Sequence, residues 1–264
     1  MNVLSTSEQA FKLYNEVISF PSSITRAEVL KSSNIAIDGI IPMRGAQTAT
    51  FHYAFEKGLP KVLKIPENQS KVSLECALYE IVGAEAEQNN IPLVPVEQLR
   101  LRGNVQRSFH SPFKEIVSGI IMPPYWCTLS DIPIPEESDR ILMIAERIGI
   151  ALEFLHKKKW LHGDVKPGNI FVDFNGMVWL GDYGSNVQFS NIKNYTGGTP
   201  KYQLTDITAD TNGKIDRVGL ALTLLSLLGV NFTHCCEHEI VEIINQNVTD
   251  LVVKQIIHDL IVRE

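Results

Sequence analysis

The sequence predicts an α+β fold in two lobes: a small one built on a mainly antiparallel sheet with one helix, and a larger helical one. Three observations carry that prediction. Between Asn34 and Met122, short apolar runs alternate with turn signals, the texture of strands. From about residue 135 onward the apolar spacing becomes helical. Inside that helical half, residues 161–184 break the pattern with a loop, a hairpin and a second loop that together carry Asp164, Lys166, Asn169 and Asp182.

Composition fits such a domain. The 264 residues suffice for a sizeable core, and 44% hydrophobic with 20% charged residues is ordinary for a globular chain. A formal net charge of -6 argues against nucleic-acid binding through bulk electrostatics. The most apolar run, Val218 to Val230, is too short for a membrane span and contains Gly, Thr and Ser. The N-terminus has neither the basic region nor the apolar core of a signal peptide, so an intracellular, cytoplasmic location is expected, with a nuclear one left open. Four cysteines do not make a disulfide framework in a chain of this length. His234-Cys235-Cys236-Glu237-His238 lacks the spacing of a zinc knuckle and reads as a loop or helix start. The sequons at Asn68, Asn194, Asn231 and Asn247 read as chance matches.

Taken in order, residues 1–33 read as a helical N-terminal extension. Ser5 or Ser7 can cap a run with Ala10, Phe11, Leu13, Tyr14 and Val17 at apolar positions, and Pro21 ends it. The main domain is expected over 34–264. Strands are expected at 35–37, 40–41, 48–55 and 61–65, followed by a helix over 71–89 with Val72, Leu74, Leu78, Ile81 and Val82 among its apolar positions. A strand over 114–122 leads into Met122-Pro123-Pro124-Tyr125, so the small lobe spans 34–122, a linker 123–125 and the helical lobe 126–264. Pro135-Glu136-Glu137 suits a first helical turn. Ile141, Ile144, Ala145, Ile148, Ala151, Leu152 and Leu155 then repeat at helical spacing, and His156 with Lys157, Lys158 and Lys159 suits the helix end. Residues 214–228 are apolar nearly all round, as in a helix buried at the centre of a domain. Two further helices fit near 235–246 and 249–262.

The stretch 161–184 carries the chemistry. Asp164 and Asn169 sit five apart with Lys166 between them, and Pro167-Gly168 excludes a helix. Ile170-Phe171-Val172 reads as a strand, Asn175-Gly176 as a hairpin turn, and 177–180 as the returning strand. The hairpin thereby carries Asp182 back beside Asn169. A carboxylate and an amide oxygen suit a hard cation such as Mg²⁺, and Asp164 is left to orient or deprotonate an attacking hydroxyl.

This arrangement resembles the protein kinases. Their H-R-D-x-K-x-x-N is matched by His162-Gly163-Asp164-Val165-Lys166-Pro167-Gly168-Asn169, and their D-F-G by Asp182-Tyr183-Gly184. Lys61-Val62-Leu63-Lys64-Ile65 resembles V-A-I-K, and Tyr195-Thr196-Gly197-Gly198-Thr199-Pro200-Lys201-Tyr202 resembles G-T-x-x-Y. Of the glycine-rich loop only Gly45 is matched, within Met43 to Thr50, and Asp206 stands where A-P-E has its Glu. The resemblance covers about residues 34–260; no match is found for the family's last helix.

The resemblance implies a protein-kinase-like fold that binds ATP and Mg²⁺. Lys64 would hold the inner phosphates with a glutamate partner on helix 71–89. Glu75 is preferred to Glu80, because Tyr79 one turn on can fill the apolar place where Ala84 would be too small. Gly45, Val62, Met122 and Phe171 join the nucleotide set, with the Pro123 carbonyl and the Tyr125 amide for adenine. Asn169 and Asp182 would hold the metal. Asp164, Lys166 and Thr199 would be catalytic, with the Thr199 hydroxyl bonding Asp164 and Lys166. Asp216 would anchor the backbone of the catalytic loop. The expected reaction is transfer of the γ-phosphoryl group to Ser or Thr of a protein substrate. Two alternatives stand beside it: a pseudokinase acting as a binding module, suggested by the reduced glycine loop and altered A-P-E, and a small-molecule phosphotransferase, whose His-Gly-Asp pattern matches His162-Gly163-Asp164.

Overall fold

The structure is a computed structural model that describes residues 27–29, 35–41, 49–103, 106–108, 111–112, 117–132, 138–195, 197–206, 212–233 and 235–262. The expected helix between Ser5 and Pro21 and the loop containing Gly45 lie outside the described residues. The chain forms two compact units. Of the described residues, one takes those up to Ile81, those of Val94–Trp126 and the Asp173–Gly176 turn; the other takes Val82–Leu93 and those of Cys127–Val172 and from Met177 onward.

The first unit is built on a six-stranded antiparallel sheet. Its strands are β1 (Ala27–Val29), β2 (Ile35–Ile41), β3 (Ala49–Glu56), β4 (Leu59–Pro66), β5 (Glu97–Gly103) and, after a short hairpin of β6 (Gln106–Ser108) and β7 (Ser111–Pro112), β8 (Val117–Met122). Their spatial order is β1-β5-β8-β4-β3-β2. β3 and β4 are joined by Lys57-Gly58, both at positive φ (53° and 81°), the two-residue turn whose twist suits a hairpin. Three features differ from the sequence reading. Residues 27–29, within the expected helical extension, form a strand that pairs Val29 with Leu101. The two short strands at 35–37 and 40–41 are one strand, with a register shift between Asp38 and Ile40 where Gly39 permits a bulge. β5 was not expected, because Gln98, Arg100 and Arg102 leave only one apolar edge to its alternation.

Helix α1 (Ser70–Gln88) follows β4. The Asn68 side chain accepts from the Ser70 N–H at 3.1 Å and so covers one orphan donor of its first turn. Val72, Cys76, Leu78, Val82 and Ala86 form its buried stripe, whereas Leu74 and Ile81 are exposed. Apolar residues surround this helix, so spacing alone does not select the buried face.

The second unit is helical. α2 (Ser138–Lys157) buries Ile141, Ile144, Ala145, Ile148, Ala151, Leu152, Phe154 and Leu155, nearly the set the periodicity predicts. α3 (Lys214–Leu227) is buried on almost every side and packs against α2. α4 (Glu237–Asn247) and α5 (Leu251–Val262) complete the unit. Cys236 caps α4: its N–H donates to Glu239 at 2.8 Å, so the Cys235-Cys236 pair opens a helix. All four cysteines are free thiols. Among the described residues no helix is long and apolar enough to cross a membrane.

The short strand β9 (Cys127–Thr128) precedes α2, and between α2 and α3 run β10 (Trp160–Leu161), β11 (Ile170–Val172), β12 (Val178–Leu180) and β13 (Val187–Gln188). β11 and β12 pair antiparallel, Ile170 with Leu180 and Val172 with Val178. Gly176 sits at φ 80° in the turn, and Asp173 accepts the Asn175 N–H at 2.8 Å. This hairpin fixes the spacing of the site.

Candidate active site

In the first unit the expected nucleotide residues gather on neighbouring elements. Lys64 Nζ donates to Glu75 at 3.0 and 3.3 Å, and the two side chains are 10% and 1% exposed. Burying either charge alone would be costly, and the pair offsets that cost for both. Glu80 is exposed. Val62 lies two residues before Lys64, on the same sheet face, and pairs with Met122 across β4 and β8. Pro123 and Tyr125 follow directly after β8. Burial, and then the Asp173 carboxylate and Tyr79, push the Tyr125 phenol well above its usual range, so it stays protonated. Cys76, beside Glu75, is pushed up to about 12 by burial and the neighbouring glutamates and is an unreactive thiol.

In the second unit the catalytic-loop residues close into one network. Lys166 Nζ donates to Asp164 Oδ2 and to Thr199 Oγ1, both at 2.7 Å. Thr199 Oγ1 donates in turn to Asp164 Oδ1 at 2.7 Å. Asn169 Nδ2 donates to the Asp164 carbonyl at 2.7 Å and to its Oδ2 at 3.1 Å. Because the amide nitrogen faces Asp164, its carbonyl oxygen is the end available to a cation. The Gly181 N–H donates to the backbone carbonyl of Asn169 at 3.0 Å, so the β11–β12 hairpin sets Asp182 one residue past a paired point. Asp182 adopts the left-handed region (φ 61°, ψ 68°), rare for a residue with a side chain and often kept where a site demands it. Phe171 sits on β11 between the buried Ile170 and Val172.

The donor set fits Mg²⁺, which prefers carboxylate, amide and water oxygens and uses few protein ligands. Among the described residues no group of three or more His, Cys, Asp or Glu gathers in the manner of an all-protein metal cage. Asp182 and the Asn169 amide would be the protein's share of the coordination.

A buried scaffold holds this loop. Asp216, fully buried on α3, accepts the His162 N–H at 2.9 Å, the Gly163 N–H at 2.8 Å and His156 Nε2 at 2.8 Å. His162 donates from Nε2 to the Gly181 carbonyl at 2.9 Å and accepts the Asp164 N–H at 3.3 Å, so one imidazole ties the catalytic loop to the loop of Asp182. Tyr183 packs edge-on against it and donates to the Leu180 carbonyl. Asp206 accepts the Glu237 N–H at 3.2 Å and caps α4.

Burial alone would raise the Asp216 carboxyl, but the bond and charge of His156 and the backbone donors outweigh it and hold the carboxyl below its ordinary value. A lowered carboxylate contributes stability that is present above its unfolded value and is lost as pH falls through the folded one. Asp216→Asn is therefore expected to cost about 3–5 kcal/mol at neutral pH, because it leaves buried donors facing an amide. The penalty should shrink below about pH 4, where unfolded aspartate protonates. Denaturant midpoints of both proteins between pH 3 and 7 check this; a pH-independent difference would refute it.

Sequence reasoning did not find His156, Gln203 or the contact of Tyr195 with Gly163. Each joins residues far apart in the chain; His156 reads locally as part of a basic helix end, and its bond to Asp216 lies 60 residues away.

The protein kinase domain model matches residues 129–259, the stretch that contains all of this second network. The chain belongs to the protein kinase family. The chain is 28% identical over 203 residues to the serine/threonine-protein kinase ArnS of Sulfolobus acidocaldarius, covering 63% of this chain and 30% of that protein. It is 38% identical over 84 residues to the serine/threonine-protein kinase RUNKEL of Arabidopsis thaliana, covering 30% of this chain and 6% of that one. The matched stretches thus span under a third of these relatives' own lengths. Among solved structures, the ROP18 kinase domain in complex with AMP-PNP and sucrose superposes with a TM-score of 0.64 at 15% identity, over 98% of this chain and 83% of that one. Vaccinia related kinase 3 superposes with a TM-score of 0.58 at 18% identity, over 82% and 72%. At these identities the two structures establish the fold, the two-lobed α+β kinase architecture.

Proposed function

We propose that the chain transfers the γ-phosphoryl group of Mg·ATP to serine or threonine of a protein substrate. The observation that carries the reading is the closed Asp164–Lys166–Thr199 network. In this reading the Asp164 carboxylate accepts the hydroxyl proton, the Lys166 cation beside it neutralises charge on the transferring group, and the Thr199 hydroxyl fixes both. Lys64, oriented by Glu75, would hold the inner phosphates, and Asn169 and Asp182 the metal. ATP as donor is supported by the likeness to a kinase domain solved with AMP-PNP, and Ser/Thr acceptors by the names of the relatives. A metal held by Asn169 and Asp182 would draw charge off the phosphoryl oxygens; the chain's residues would bind, orient and take up the proton.

Radiolabelled ATP with generic protein substrates tests the proposal. Label on serine or threonine is the expected result. Label on sugars or aminoglycosides but on no protein would replace the reading with a small-molecule phosphotransferase.

Activity is expected without phosphorylation of the activation segment. The arginine that commonly pairs with a phosphate there is replaced by Gly163, at φ 82°, where a Cβ would collide with the Ser185 carbonyl and the Tyr195 ring. Phosphatase-treated enzyme should therefore keep its rate. A loss of activity restored by rephosphorylating Ser185, Ser190, Tyr195 or Thr196 would refute this.

A further inference from the structure

The Tyr195 ring occupies a socket made by three glycines. A Cβ on Gly163 or on Gly197 would each lie 3.0 Å from its Cε2, and a Cβ on Gly198 would lie 2.5 Å from its hydroxyl. Gly163 and Gly198 both have positive φ, 82° and 87°, so backbone conformation and space alike exclude side chains there. The ring packs against the buried Leu161, Ile192 and Ile215 with Val187 and Phe189. Its hydroxyl donates to the Gly163 carbonyl. Gln203 Nε2 closes the arrangement from the far side, donating to the Tyr195 hydroxyl at 3.3 Å and to the Gly197 carbonyl at 3.1 Å.

The two ends of this contact are the parts that must be aligned. Gly163 precedes Asp164, and Tyr195 stands four residues before Thr199. A bond from Tyr195 to Gly163 therefore sets the register of the segment carrying Thr199 against the loop carrying Asp164. We infer that Tyr195 is a positioning residue: its phenol latches the acceptor-binding segment to the catalytic loop with an uncharged hydrogen bond, doing the work a phosphate–cation pair would otherwise do. This rests on the phosphoryl-transfer reading above and specifies how the same site is kept in its working form.

The surroundings agree. Burial, then the charges of Asp216 and Asp164, push the phenol well above its usual range, so it remains a donor throughout the neutral range. The same carboxylates would repel a phosphate on Tyr195, so modification there would open the latch and not strengthen it.

Tyr195→Phe tests the inference, because phenylalanine keeps the ring in its socket and removes only the hydroxyl. On the full chain, kcat/KM for a Ser/Thr peptide should fall about tenfold, the worth of one well-placed hydrogen bond. KM for Mg·ATP and the unfolding temperature should stay near wild type. Backbone amides of 197–206 should exchange hydrogen faster in the variant, with Gln203→Ala giving a smaller increase in the same amides. A purely structural role would instead move the unfolding temperature and the nucleotide KM together, and would overturn the assignment. Wild-type exchange over 197–206 in Tyr195→Phe would show that there is no latch. Faster exchange with unchanged peptide kcat/KM would show a latch without a positioning role. If wild type transfers nothing to any peptide, the phosphoryl-transfer reading fails along with the catalytic use of the latch, while the exchange comparison still decides whether the latch exists.

Discussion

Asp182→Asn and Lys64→Met should each lower phosphoryl transfer by roughly 10²–10³-fold or more, the scale of losing one preorganised charge at a developing phosphoryl charge. The two variants differ in what they do to the fold. Asp182 is held at φ 61°, and asparagine is among the few side chains that tolerate this region, so Asp182→Asn should melt like wild type. Lys64→Met leaves the Glu75 carboxylate, 1% exposed, without its cation. Breaking such a buried pair costs about 3–5 kcal/mol. The double variant Lys64→Met/Glu75→Gln removes both charges and should recover most of that stability but none of the activity. Transfer rates measured beside thermal unfolding separate the two effects. Wild-type-like transfer by Asp182→Asn, with contaminating kinase excluded, would mean that the metal site is misassigned.

What could be read from the sequence depended on how local the interactions are. The hairpin of β11 and β12 was legible because Asn175-Gly176 fixes its turn and the strands flank it directly, and the register then follows. α2 was legible because its apolar positions keep one spacing over five turns. Glu75 could be separated from Glu80 only through the size of Tyr79, a packing argument and not a charge argument. The buried face of α1 was less legible: Leu74 and Ile81 fit an apolar pattern as well as Val72 and Val82 do, and only tertiary packing leaves the first two exposed. β1 and β5 were missed because their pairing joins residues 27–29 to 101–103, with alternate charged residues that read equally well as a loop. The Tyr195 socket was invisible for a related reason. Gly163 reads as a variant position in one motif and Gly197 and Gly198 as part of another, and only the fold shows that one ring requires all three.

Thr199→Val should lower kcat/KM on a Ser/Thr peptide by about 10–100-fold while Mg·ATP affinity changes less than about twofold. The expectation follows from the two 2.7 Å bonds of its hydroxyl, one accepted from Lys166 and one given to Asp164. With the hydroxyl gone, Lys166 and Asn169 keep their bonds to Asp164 Oδ2, but Oδ1 loses the Thr199 donor that had turned it toward the segment. The carboxylate can then rotate, and a misplacement of about 1 Å is enough to cost two orders of magnitude in an oriented reaction. Valine preserves the branched shape of threonine, so a loss in Thr199→Val isolates the hydroxyl from packing; Thr199→Ala should fall by a similar factor. Thr199→Ser restores the hydroxyl and should recover most of the activity. None of these changes touches Lys64, Asn169 or Asp182, which is why nucleotide affinity should hold. Small-molecule phosphotransferases enclose their acceptor, commonly with helices inserted between the metal loop and the buried helix. The short, Gly-rich stretch from Asp182 to Asp216 leaves little room for them. Full peptide activity in Thr199→Val would therefore remove both the catalytic assignment of Thr199 and the main argument for an extended protein acceptor.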